Sequence, residues 1–85
     1  MKLVFDPNAL EDLRHWINTD RRKALKAVDL IESALATPFD GLGKPEPLKF
    51  ELAGCWSRRI DLEHRLVYKI EKDSLVIMAC RYHYK

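Results

Sequence analysis

The chain ends in Arg81-Tyr82-His83-Tyr84-Lys85, a histidine between two tyrosines with an arginine before them. An imidazole has an ordinary pKa of about 6.5, so His83 can deliver a proton to a leaving oxygen near neutrality. Lys49, Arg59, Arg65 and Arg81 supply cations in the same half of the sequence. Guanidinium groups bind phosphate oxygens in a planar fork and stabilise the charge that develops in a transition state. The combination suits a phosphodiester. Its arginines would also depress the His83 pKa and weaken it as an acid until the phosphate arrives.

Glu46 is the acid at the end of the loop that leads into this basic stretch, and it lies between Pro45 and Pro47. Pro47 restricts Glu46 to extended geometry, and Pro45 fixes its own φ. A carboxylate with a normal pKa of about 4.3 is ionised at pH 7 and could take a proton from a ribose 2′-hydroxyl. Without the cations opposite, Glu46 reads as a solvated loop residue. Tyr84 reads either as a terminal residue without a role or as a ring that stacks on an unpaired base. His15 reads as an exposed or half-buried helix residue and His64, beside Glu63, as a turn residue.

The elements that must position these groups follow from periodicity. Residues 2–5 form a short strand. Asp6-Pro7 starts a helix, the aspartate as cap and the proline at a position whose missing N–H costs nothing. Leu10, Leu13 and Ile17, with Trp16, mark its apolar face. Asp20 caps a second helix with a stripe of Ala24, Ala27, Val28, Ile31, Ala34 and Leu35. Thr37-Pro38 stops it, because a residue before proline is pushed out of the helical region. Residues 39–47 are loop. The period then changes to two, predicting strands over 48–52, 56–62, 65–70 and from 75 to about 84.

A strand, two helices and four more strands predict an α+β domain spanning 1–85, both helices on one face of a mainly antiparallel sheet. With uninterrupted pleating, Leu48, Phe50 and Leu52 face the helices, as do Trp56, Arg58, Ile60 and Leu62. Arg81 and His83 align with Ile77 and Ala79. Lys49, Arg59, Arg65, Arg81 and His83 then gather on the open face. A bulge would flip part of this assignment.

Composition bounds the alternatives. Eighty-five residues allow one core, with roughly 60–65% of the unfolded surface buried on folding. The 47% hydrophobic and 33% charged content fits a soluble protein and excludes a disordered chain. Residues 44–85 carry nine Lys/Arg against six Asp/Glu, so the net +2 charge is concentrated in the half that ends in the tail. Cys55 and Cys80 lack metal-ligand spacing and read as reduced thiols. The apolar start at Leu3-Val4-Phe5 is too short for a signal peptide or a membrane span, which predicts a cytoplasmic protein.

Thr37-Pro38-Phe39-Asp40-Gly41, Gly43-Lys44-Pro45-Glu46-Pro47-Leu48-Lys49, Trp56-Ser57-Arg58-Arg59-Ile60, Glu63-His64-Arg65-Leu66-Val67-Tyr68 and Ala79-Cys80-Arg81-Tyr82-His83-Tyr84 occur in that order. Together they resemble the Txe/YoeB family of bacterial toxins, within the RelE superfamily of type II toxin–antitoxin systems. The resemblance covers the whole chain and implies a RelE/YoeB-like, microbial-RNase-like fold. It implies an endoribonuclease that cuts mRNA in the ribosomal 30S A site without metal or cofactor, leaving a 2′,3′-cyclic phosphate and a 5′-hydroxyl. Carried over, Glu46 is the general base, His83 the general acid and Arg65 the phosphate stabiliser. Lys49, Arg59 and Arg81 contact the RNA backbone, and Tyr84 positions the base. The implied partners are a YefM/Axe-type antitoxin, mRNA and the ribosome, with operator DNA reached only through the antitoxin complex and a homodimer possible. The competing class is a module that blocks the ribosome without cutting RNA, or acts chiefly as a corepressor.

Overall fold

The computed structural model describes residues 1–82. The elements are β1 (Lys2–Phe5), α1 (Pro7–Thr19), α2 (Arg21–Ala36), β2 (Glu46–Pro47), a 3-10 turn (Phe50–Leu52), β3 (Cys55–Arg59), β4 (Arg65–Glu71) and β5 (Ser74–Ala79). The helix starts follow the expected chemistry: Asp6 Oδ1 accepts from the Asn8 N–H and Asp20 Oδ1 from the Arg22 N–H. The sheet runs β1-β5-β4-β3-β2, antiparallel except for the β1–β5 pair. Both helices pack on one face, as the α+β reading expects.

The helices present slightly different faces from those predicted. Leu10 and Ile17 are exposed, and Ala9, Trp16 and the partly buried Leu13 meet the sheet instead. On α2, Leu30 is buried and Val28 is exposed. Residues 9, 13 and 16 form an i, i+4, i+7 stripe, as do 27, 30, 31 and 34, so the helical period is right and only the rotation differs. Trp16 fixes that rotation for α1, because its indole N–H donates to the Cys80 carbonyl at 2.7 Å from within the core.

Residues 48–52 do not form the expected strand. β2 ends at Pro47, and a proline within a sheet belongs on an edge because it has no N–H to donate. The chain adds one more bond, Leu48 N–H to Cys55 O, and then coils through Phe50 at φ 57°. Phe50 is therefore 86% exposed. Leu48 and Leu52 join Cys55, Val67, Met78 and Ala79 in a small cluster on the face away from the helices. That face is partly roofed rather than wholly wet.

β5 ends at Ala79 and carries a bulge. Val67 pairs with Ala79 while Tyr68 pairs with Ile77, leaving Met78 as the extra residue. Ile77 consequently lies in the helix-side core, whereas Ala79 packs in the opposite cluster. The expected alignment of Ile77 with Ala79 fails for this reason. Leu62 is 91% exposed in the turn after β3, also outside the predicted strand face.

Arg58 is the most heavily bonded core side chain. It is fully buried, and Nε donates to the Tyr68 hydroxyl at 2.9 Å. Nη1 donates to Ser33 Oγ at 2.7 Å and Leu42 O at 3.0 Å; Nη2 donates to Thr37 O at 2.7 Å and Asp40 O at 2.8 Å. All five guanidinium N–H groups are used. The cation sits just past the end of α2, on the C-cap carbonyl of Thr37 and the loop carbonyls of Asp40 and Leu42, where the negative end of the helix dipole favours it. Burial raises the Tyr68 phenol pKa, partly offset by Arg58, and the hydroxyl donates to Pro38 O.

The loop from Thr37 to Gly43 closes tightly over this group. At Gly43, φ is +84° and a Cβ would stand 2.5 Å from Leu30 Cδ2 and 3.2 Å from Arg58 Cβ. Substituting Arg58 by Met should strand several buried acceptors and cost on the order of 3–5 kcal/mol in urea unfolding. Arg58→Lys, with three donors for five acceptors, should lose less.

Candidate functional site

Register places three of the proposed site residues on one face. Glu46 pairs with Ser57, and Ser57 with Val67. Arg59, two residues beyond Ser57, pairs with Arg65. Residues directly opposite on neighbouring strands share a face, as do residues two apart. Glu46, Arg59 and Arg65 therefore lie together on the side away from the helices. Ser57 is buried beneath the row, while Glu46 and Arg59 are exposed and Arg65 is half-buried.

Two arginines directly opposite each other repel. Among the described residues, neither Arg59 nor Arg65 has a carboxylate within 4.0 Å. Arg65 is instead held by carbonyls: Nη1 donates to Asp61 O at 2.8 Å and to Leu62 O and His64 O at 3.3 Å. A half-buried guanidinium fixed at one nitrogen keeps its direction without being neutralised. Such a pair is suited to an anion.

Lys49 is exposed but stands beyond the end of β2, at the entry to the 3-10 turn, and is not part of the pleated row. Arg81 is half-buried, with its guanidinium carbon 4.7 Å from the Tyr82 ring centroid. It lies past the end of β5 rather than in a continuing strand, and Tyr82 has φ 62°. His83 and Tyr84 lie outside the described residues. Among the described residues, no group of three or more His, Cys, Asp or Glu side chains could hold a metal ion.

The approach to the tail is tied down by four hydrogen bonds. The Cys80 N–H donates to Asp12 Oδ2 at 3.0 Å, and Cys80 O accepts from Trp16. The Tyr82 N–H donates to His64 Nδ1 at 2.7 Å, and Tyr82 O accepts from the Arg65 N–H at 2.9 Å. Burial, reinforced by Asp12, pushes the Cys80 thiol up to about 12, so this cysteine stays protonated and unreactive. His64 is buried and not simply a turn residue. Its role depends on contacts across 18 residues of chain, and no local pattern signals them.

The Asp61 carboxylate shapes the turn that carries His64. Its Oδ1 accepts from the Glu63 N–H at 2.8 Å and the His64 N–H at 2.7 Å, and its Oδ2 lies 3.3 Å from Lys23 Nζ. Burial alone would raise the Asp61 pKa, but the two backbone donors and Lys23 outweigh it and hold the pKa below 3.8. Hydrogen bonds to Asp20 and Asp61 raise that of Lys23.

No helix among the described residues is long and apolar enough to cross a membrane. An apolar groove between the helices, about 310 Å³, is lined by Leu13, Ile17, Arg21, Ala24, Leu25 and Val28.

A depressed folded-state pKa gives Asp61 a stabilising effect that is present above its unfolded pKa and lost as pH falls through the folded one. Asp61→Asn keeps an oxygen for the two N–H donors and removes the charge. Wild type should therefore exceed this variant in urea stability at pH 7, with the gap shrinking below about pH 4.

Comparison with known proteins places these features in a family. The chain is 54% identical to toxin YoeB of Escherichia coli K12 over 84 residues, covering 99% of this chain and 100% of the relative. The YoeB/ParE toxin of Agrobacterium tumefaciens superposes with a TM-score of 0.95 at 50% identity, over 99% of this chain and 100% of that one. The YoeB–YefM complex of Staphylococcus aureus contains a chain matching at TM-score 0.89 and 38% identity, over 99% and 98% of the two chains. Residues 5–84 match the family described as the YoeB-like toxin of bacterial type II toxin–antitoxin systems. The chain, with its two helices on a five-stranded sheet and its Glu46–Arg59–Arg65 face, belongs to that toxin family.

Proposed function

We propose that this toxin is a metal-independent endoribonuclease that cuts mRNA in the ribosomal A site and so halts translation. The observation that carries the reading is the shared face of Glu46, Arg59 and Arg65, beside a tail whose backbone is bonded to Arg65 at Tyr82.

Glu46 takes the proton of a ribose 2′-hydroxyl, and the 2′-oxygen forms a bond to the adjacent phosphorus. The bond from phosphorus to the 5′-oxygen breaks, His83 gives that oxygen a proton, and the products are a 2′,3′-cyclic phosphate and a 5′-hydroxyl. Arg65 stabilises the charge that grows on the phosphoryl oxygens, with Lys49, Arg59 and Arg81 along the RNA backbone. Tyr84 stacks on the base. The cross-strand arginines, without a carboxylate partner among the described residues, support this reading, since a bound phosphate would relieve their repulsion.

A YefM/Axe-type antitoxin is the proposed protein partner, in keeping with the Staphylococcus aureus YoeB–YefM complex. An acidic antitoxin segment would cover the basic face and block or displace the tail. Operator DNA is reached through that complex. The YoeB dimer of the same organism, at TM-score 0.90 and 39% identity, supports self-association of this chain, and a ribosomal target would place it in the cytoplasm.

Primer extension on translated mRNA tests the reading and separates cutting from blocking, because blocking alone leaves transcripts whole. Cleavage should fall about 10²–10³-fold for Arg65→Ala and about 10²–10⁴-fold for His83→Gln or Glu46→Gln. Undiminished cleavage by His83→Gln would remove the acid assignment.

A further inference from the structure

We propose that His64 is a positioning residue for the nuclease reaction: its Nδ1 fixes the Tyr82 amide and thereby the peptide that leads directly into His83. The inference rests on the nuclease reading above. His64 is buried, and its Nδ1 accepts the Tyr82 N–H at 2.7 Å. An N–H donor at that distance requires a lone pair on Nδ1, so the neutral ring carries its proton on Nε2. Nε2 lies 3.6 Å from Glu63 Oε1.

Residue 64 is itself fixed at its backbone and its ring. The Asp61 carboxylate accepts the His64 backbone N–H, the His64 carbonyl accepts from the Ile60 N–H at 3.0 Å, and Trp16 meets the imidazole edge-on at 4.7 Å. Trp16 also donates to the Cys80 carbonyl, two residues before Tyr82. His64 and Trp16 together hold the chain on both sides of Arg81.

Tyr82 needs such a hold. Its φ of 62° is a left-handed conformation that a bulky residue avoids unless neighbouring bonds impose it. Beyond Ala79 the sheet ladder has ended, so strand pairing cannot supply the constraint. The two bonds at Tyr82, to His64 Nδ1 and from the Arg65 N–H, replace it. The second of these links the tail to the residue proposed to stabilise the phosphate. The Tyr82 backbone and the phosphate-binding residue are thereby held to one frame, and small displacements at a reacting centre cost rate steeply.

The test uses isosteres at residue 64. Asparagine can place Oδ1 where Nδ1 stands and accept the Tyr82 N–H, whereas glutamine places its amide near the Nε2 position and leucine has no acceptor. Each variant is checked for an unchanged fold by circular dichroism and thermal unfolding. Tyr82 amide exchange and His64 ¹⁵N imidazole shifts are then read by NMR on the full chain, and single-turnover mRNA cleavage on programmed ribosomes.

Wild type should show the Nε2–H tautomer. His64→Leu and His64→Gln should lose about three- to tenfold in Tyr82 protection, the weight of one hydrogen bond. Cleavage should slow at least as much at saturating ribosomes, with the half-saturating concentration little changed. His64→Asn should restore both. Wild-type protection and rate in a folded His64→Leu would overturn the inference, as would an Nδ1–H tautomer or an asparagine variant that behaves like leucine. If wild type leaves mRNA uncut, the nuclease reading and the catalytic part of this inference both fail. The amide exchange then still decides whether His64 anchors the tail.

Discussion

The buried Arg58 guanidinium is the constraint on which the rest of the molecule depends. Among the described residues it has no carboxylate within 4.0 Å, and it is held by five neutral acceptors on α2, the following loop and Tyr68 of β4. Leaving those acceptors unpaired would cost far more than any one bond contributes, so helix end, loop and sheet are set as a unit. The loop then runs close over Leu30 and the Arg58 stem, where Gly43 has little room for a side chain. Three residues later the chain reaches Glu46, which enters the sheet as an edge strand. The structural arginine and the proposed base are thus connected by a short, heavily bonded segment.

Arg58 and Arg59 are adjacent and have opposite fates. One turns inward and is fully satisfied; the other turns outward opposite Arg65 and has no carboxylate partner among the described residues. Strand pleating alone makes this division. A single Arg-Arg pair therefore serves both the stability of the loop that presents Glu46 and the charge of the face where Glu46 lies.

The end of the sheet is organised by different means. Once β5 stops at Ala79, the chain is carried by Asp12, Trp16, His64 and the Arg65 amide rather than by a ladder. The bulge at Met78 permits this, because it returns Cys80 to the helix-side core while Ala79 remains on the opposite face. Without the extra residue, the side chains after Ile77 would exchange faces.

Much of this was legible in the residues. Asp6-Pro7, Asp20 and Thr37-Pro38 specify helix ends through bonds made within a few residues, and the ordered motifs identify the family. The shared face of Arg59 and Arg65 also followed from alternation in strands that do form, whereas Glu46 reads as loop in the sequence and joins that face only through its pairing with Ser57. The rotation of the helices, the coil at 48–52, the bulge and the buried roles of Arg58 and His64 did not. Each depends on partners far away in the chain: Arg58 finds Ser33 across 25 residues, and Trp16 finds Cys80 across 64. Local propensity is written in neighbouring residues. Which polar group becomes an internal fastening is decided only when the packed core removes water and leaves each donor one acceptor within reach.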